Sequence, residues 1–106
     1  MNNIEKIEIR IISITRSIEI LIIPETLKVY AKEKVSDISP EKIKELLKII
    51  CTWEKEYIDK KNIDSEKYIV KIYEKNNIDE YCGNGKYPLN YKSFVDKVEE
   101  LYASTI

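Results

Sequence analysis

The sequence predicts an α+β domain: an antiparallel sheet of four to five strands in two hairpins, with two helices on one face, in the order ββ(β)αββα. Three observations carry this. Apolar and polar residues alternate through Ile7–Ile11 and Ile18–Ile22 and again through Tyr68–Ile72, the period of half-buried strands. Apolar residues recur at intervals of three and four from Ile43 and from Tyr91, the period of helices lying on a core. With 106 residues, 43% of them hydrophobic, the chain can build one core and no second of useful size, so residues 1–106 read as a single domain.

In KIEIRIISI, Ile7, Ile9 and Ile11 alternate with Glu8 and Arg10; in SIEILII, Ile18, Ile20 and Ile22 alternate with Glu19, Leu21 and Ile23. These are two strands of one hairpin. Pro24 cannot donate to a ladder and marks a break or an edge. TLKVYAK places Leu27, Val29 and Ala31 at strand spacing, although Leu27, Ala31 and Val35 also fit a helix; the strand is preferred. Ser39 as cap, Pro40 at the first helical position and Glu41 at the positive end of the dipole open the clearest helix. Its stripe through Ile43, Leu46, Leu47, Ile50, Trp53, Tyr57 and Ile58 predicts a helix from Pro40 to about Asp59, ended by KKNIDS. KYIVKIY forms the next strand, with Tyr68, Val70 and Ile72 on one face. Asn76 and Asn77 tolerate positive φ and turn the chain into IDEYC, a second hairpin. In EYCGNGKYPLNY the two glycines supply positive φ, Pro88 stiffens the crossing, and Asn90 caps a closing helix with the stripe Tyr91, Phe94, Val95, Val98, Leu101 and Tyr102.

Composition excludes several classes of function. The 18 basic and 19 acidic residues are scattered and sum to a net charge of -1, which gives no field for nucleic acid or an anionic membrane. Arg10 and Arg16 are the only arginines, which disfavours sequence-specific DNA binding. The chain has no histidine, so the commonest general base and the commonest ligand of catalytic zinc are missing. Cys51 and Cys82 lack CxxC spacing and read as reduced, mostly buried thiols. Asp79-Glu80 and Glu99-Glu100 are adjacent in sequence and point apart, a solvated arrangement rather than an acid–base pair. Trp53 and Tyr57 could stack single-stranded nucleic acid, but they continue the helical stripe and read as core. Gly83-Asn84-Gly85 fits neither the dinucleotide nor the Walker pattern, because KYPLN intervenes before Tyr91. No metal, cofactor or catalytic set is expected. No apolar run longer than ILII occurs, so no membrane span is expected and the location reads as cytoplasmic.

Asp64-Ser65, the strand bearing Tyr68, Val70 and Ile72, the Asn turn, and YCGNGKYPLNY before a helix together resemble the C-terminal half of small uncharacterised proteins from low-GC bacteria and their phages or mobile elements. Their pattern is Asp-Gly, an aromatic-led strand, a turn, Tyr-x-Gly, Tyr-Pro and a helix. Ser65 departs from the Gly, and Tyr68 stands where Trp is frequent. The resemblance implies a fold and carries no activity.

The expected function is that of a small non-enzymatic protein that docks on a partner protein, such as an inhibitor of the anti-CRISPR type, an immunity protein or an antitoxin. The alternative is an RNA- or nucleotide-binding module centred on Tyr81 to Tyr87. Two groups of candidate contact residues follow. Tyr73, Tyr81, Asn84, Lys86 and Tyr87 lie in or beside the second hairpin and its glycine loop, where rigid aromatics meet polar groups; Tyr73 and Tyr81, which flank the hairpin turn, are expected on the sheet face away from the helices. Ile12, Ile14, Leu21 and Ile23 fall on the face of the first hairpin opposite the core, where they would form a homodimer contact or a partner surface unless a β-bulge near Ile12 swaps the faces.

Overall fold

A computed structural model describes residues 4–62 and 66–105. Seven strands and two helices follow in the order β1 (Ile4–Ile12), β2 (Ser17–Ile23), β3 (Lys28–Ala31), β4 (Lys34–Asp37), α1 (Pro40–Ile50), β5 (Glu56–Ile58), β6 (Lys67–Glu74), β7 (Asn77–Asn84) and α2 (Tyr91–Ser104). The strands form one sheet in the order β4-β3-β2-β1-β6-β7-β5. The α+β class holds, but the sheet is larger than the four to five strands expected, and it is mixed because β5 runs parallel to β7.

Both predicted hairpins form. β1 pairs β2 with Ile9 opposite Ile20, and β6 pairs β7 across the two-residue turn Lys75-Asn76. Neither Asn76 nor Asn77 adopts positive φ; those values fall instead at Leu27, Lys32 and Glu33 and at Gly85. Lys32 and Glu33 close a third hairpin, β3–β4, in the segment where strand and helix patterns competed. The glycines divide their work. Gly85 has φ 79°, whereas Gly83 stays in β7 and leaves space for the Tyr68 ring, whose Cε2 a Cβ there would strike.

The helix predicted to reach Asp59 stops at Ile50. Thr52 Oγ1 donates to the Ile49 carbonyl and the Trp53 N–H to that of Ile50, so the turn closes on itself and the chain re-enters the sheet as β5. Trp53 is still buried, as its place in the apolar stripe suggested, but it reaches the core from a loop. At the start of α1, Ser39 Oγ accepts from the Lys42 N–H at 3.2 Å, the expected cap. Asn90 precedes α2 without a side-chain capping bond, because its Oδ1 accepts from Trp53 Nε1 at 2.7 Å. Asp64 and Ser65 lie outside the described residues.

One face of the sheet carries the core. Ile7, Ile9, Ile11, Ile20, Ile22, Val29, Val70 and Tyr68 are buried with Ile43, Leu46 and Ile50 of α1 and Phe94, Val95, Val98 and Leu101 of α2. Each such side chain contributes roughly 1.5–3 kcal/mol relative to exposure. Lys42–Glu100 and Lys97–Glu45 ion pairs, both at 2.9 Å, join the two helices at their exposed rims. Cys51, expected inside, is exposed at the end of α1; Cys82 is half-buried, and both thiols are free.

Candidate functional site

Strand parity sends the remaining side chains to the other face of the sheet, over which neither of the described helices packs. The register sets them in rows. Leu21 lies between Glu8 and Tyr30, Val35 extends the row beyond Tyr30, and Lys71 and Glu80 extend it beyond Glu8. Within this row Tyr30 is 42% exposed and Val35 53%, an apolar end facing water near the β4 edge. Charges of both signs fill the rest and pair with each other: Lys6–Glu8 at 3.6 Å, Arg10–Glu19 at 3.7 Å, Lys71–Glu80 at 3.9 Å and Lys28–Asp37. Hydrogen bonding to Asp37 raises the pKa of Lys28. Lys6 Nζ sits 4.4 Å from the centre of the Tyr73 ring. A shallow hollow of about 500 Å³ opens here, lined by Glu8, Arg10, Glu19, Leu21, Tyr30 and Lys32 among others.

The sequence-predicted contact residues divide between the two faces. Ile12, Leu21, Ile23 and Tyr73 have uncovered-face parity and are half-buried. No bulge swaps the faces near Ile12; the irregularity in β1 lies between Ile4 and Lys6. Ile14 belongs to no strand: it sits in the β1–β2 turn and is 92% exposed. Tyr81, expected away from the helices with Tyr73, lies on the helix side, because the two-residue turn places it opposite Val70. There its ring meets Trp53 at 6.5 Å, with Lys55 Nζ 4.2 Å from its centre. Asn84 ends β7 with its Oδ1 buried and unpaired by any described donor. Lys86 is exposed, whereas the Tyr87 ring turns inward, stacks on Tyr91 at 4.7 Å and donates from its hydroxyl to the Glu66 carbonyl at 2.6 Å.

Two features escaped sequence reading. Tyr30 and Val35 could be placed only once β3 and β4 were known to pair, and a Lys-Glu turn lacks the Asn-Gly signal that would have announced the hairpin. The second is a polar clasp at one end of the sheet. Glu66 accepts from Arg16 Nε at 2.7 Å and from the Tyr91 hydroxyl at 2.7 Å, while Arg16 also reaches Glu99 at 3.1 Å. Burial pulls the Arg16 pKa down, but its bonds to Glu66 and the nearby carboxylate charges outweigh this and raise it. Burial and the bond to Glu66 push the Tyr91 phenol well above its ordinary range. Every group of the clasp is satisfied from within the chain, which marks it as a structural joint.

Chemistry at the thiols is weak. Burial, with Glu56 and Glu80 nearby, raises the pKa of Cys82 and so works against a thiolate nucleophile. Among the described residues no cluster of Cys, Asp and Glu is arranged to hold a metal ion, and no helix is long and apolar enough to cross a membrane. Compared with protein-family models, curated proteins and solved structures, the chain matches none of them.

Proposed function

We propose that this chain is a small non-enzymatic binding protein that docks a partner protein on the uncovered face of its sheet. The observation that carries the reading is the row Leu21–Tyr30–Val35: an exposed aromatic, an exposed valine and a half-buried leucine, in a sheet whose other face carries the core. Apolar side chains rimmed by polar ones are the anatomy of protein interfaces, and aromatic anchors dominate their energetics. The alternation of Lys6, Arg10, Lys28 and Lys71 with Glu8, Glu19, Asp37 and Glu80 suits a partner surface of mixed charge better than a polyanion. An inhibitor, an immunity protein or an antitoxin would use such a face to mask a site on its partner. The alternative centred on Tyr81 to Tyr87 would need rings free to stack on bases, and both rings are engaged inside the chain.

The test is retention of partners from the native host by the wild type, by Leu21→Lys with Tyr30→Ala, and by Lys44→Glu with Lys92→Glu on the helix side. A partner retained by the wild type and the helix-side variant but lost by the sheet-face variant, all three folded, is the expected result. Loss of a hot spot of this kind corresponds to about 2 kcal/mol or more. Retention by the sheet-face variant, or a thermal shift with added RNA or nucleotides instead, would overturn the reading.

A further inference from the structure

β4 is the last strand of the sheet at one edge, and its geometry determines what it can pair with. Lys32 and Glu33 both have positive φ (52° and 63°), the signature of a type I′ turn, which closes Ala31 and Lys34 as a hydrogen-bonded pair. Antiparallel pairs alternate between bonded and non-bonded. Tyr30–Val35 and Lys28–Asp37 are therefore the non-bonded pairs, and the backbone N–H and C=O of Val35 and Asp37 point away from β3. The bond from the Ile38 N–H to the Leu27 carbonyl has the parity this requires. Four main-chain groups thus face outward at a spacing of two residues.

We propose that this edge pairs with β4 of a second copy of the chain, antiparallel about a two-fold axis through Ser36, joining two sheets into one. A two-fold axis perpendicular to the sheet keeps each face on its own side, so opposed residues must have the same parity. Two registers near the strand centre meet that condition. One opposes Val35 to its own copy and brings Glu33 against Asp37 of the second chain, two carboxylates face to face. The other opposes Ser36 to Ser36, Val35 to Asp37 and Lys34 to Ile38. It satisfies all four outward groups on each chain and sets no like charges opposite one another. Selection of a single symmetric register by both main-chain valence and charge favours a second copy over an unrelated strand. The uncovered face stays free in the dimer, so the proposal stands or falls apart from partner docking.

Sedimentation over a concentration series should show a monomer–dimer equilibrium. Val35→Pro removes one outward N–H and no bond within the sheet, so it should be monomeric with an unchanged circular dichroism spectrum. Should it unfold, Ser36→Lys serves instead: like charges on the axis should dissociate the dimer at low salt and let it re-form at high salt. Register is read by oxidation in a Cys51→Ser background, where Ser36→Cys should give a covalent dimer and Val35→Cys should not, because the axis sets Ser36 beside its own copy within disulfide reach, whereas Val35 opposes Asp37 and lies diagonally displaced from its counterpart. A wild type monomeric up to its solubility limit, a dimer that persists with a folded Val35→Pro, or cross-linking at Val35 in place of Ser36 would each overturn the proposal.

Discussion

Tyr68 and Gly83 form a cross-strand pair in which one residue's bulk is the other's absence. The Tyr68 ring is fully buried against Trp53 at 5.1 Å and lies over Gly83, while its hydroxyl is enclosed without a described partner. An unpaired buried hydroxyl costs roughly 1–3 kcal/mol of desolvation, so Tyr68→Phe should leave stability unchanged or raise it by about 1 kcal/mol. A fall of more than about 1 kcal/mol in urea unfolding would mean that the hydroxyl does have a partner in solution. Gly83→Ala should do the reverse. Its added methyl collides with a ring packed on its far side by Trp53 and Tyr91, and overpacking of this sort costs about 1–3 kcal/mol. Neither change touches the uncovered face, so partner binding by the folded variants should be preserved.

At the scale of elements, the β3–β4 turn stores backbone strain at two adjacent residues. Left-handed backbone costs an ordinary L-residue roughly 1–2 kcal/mol, and both turn residues adopt it. Lys32 offsets part of this by placing its ammonium 4.1 Å from the centre of the Tyr102 ring on α2. Glu33 has no such contact among the described residues, so Glu33→Gly should stabilise the fold by about 1 kcal/mol, net of the entropy glycine loses on folding. A lower thermal midpoint would show that the glutamate does more than complete the turn. The same turn marks the limit of what the sequence made legible. Strands β1, β2 and β6 are legible because residues on one face recur at every second position through Ile7–Ile11, Ile18–Ile22 and Tyr68–Ile72, which fits a strand and not a helix. Strands β4 and β5, of four and three residues, are too short to show a period, and β5 is hidden in the sequence because Trp53, Tyr57 and Ile58 continue the spacing of α1. Of the candidate face, Leu21, Ile23, Ile12 and Tyr73 follow from alternation alone. Tyr81 is not legible in this way, because the turn length, which the residues themselves do not announce, decides which way β7 faces.

Over the whole molecule the ionisable groups shape a stability profile that can be argued end to end. With no histidine in the chain, no side chain has an ordinary pKa near 6.5, so stability should be flat from about pH 5 to about pH 8. On the acid side, hydrogen bonds from Lys55 and Lys42 depress Asp79 and Glu100 respectively; the stability they add is present above their unfolded pKa, near 4, and is lost as pH falls through the folded values. Both pairs are largely exposed, so this limb should be shallow and weaken further with salt. The alkaline limb should be steep. Burial raises Cys82 and raises Tyr68 and Tyr91 well beyond their ordinary range, the last with help from Glu66. In each case the unfolded chain loses its proton first, so stability is complete below the unfolded pKa and falls as pH rises from there toward the folded one. Each buried phenol then contributes a slope of up to about 1.4 kcal/mol per pH unit above pH 10. Urea unfolding from pH 4 to pH 11 should give that asymmetric profile, and Tyr68→Phe with Tyr91→Phe should flatten its alkaline limb, while loss of the Tyr91–Glu66 bond lowers the plateau without giving it a slope. A transition between pH 5 and pH 8, or an alkaline slope unchanged in the double variant, would show that these phenols are not held protonated by the core.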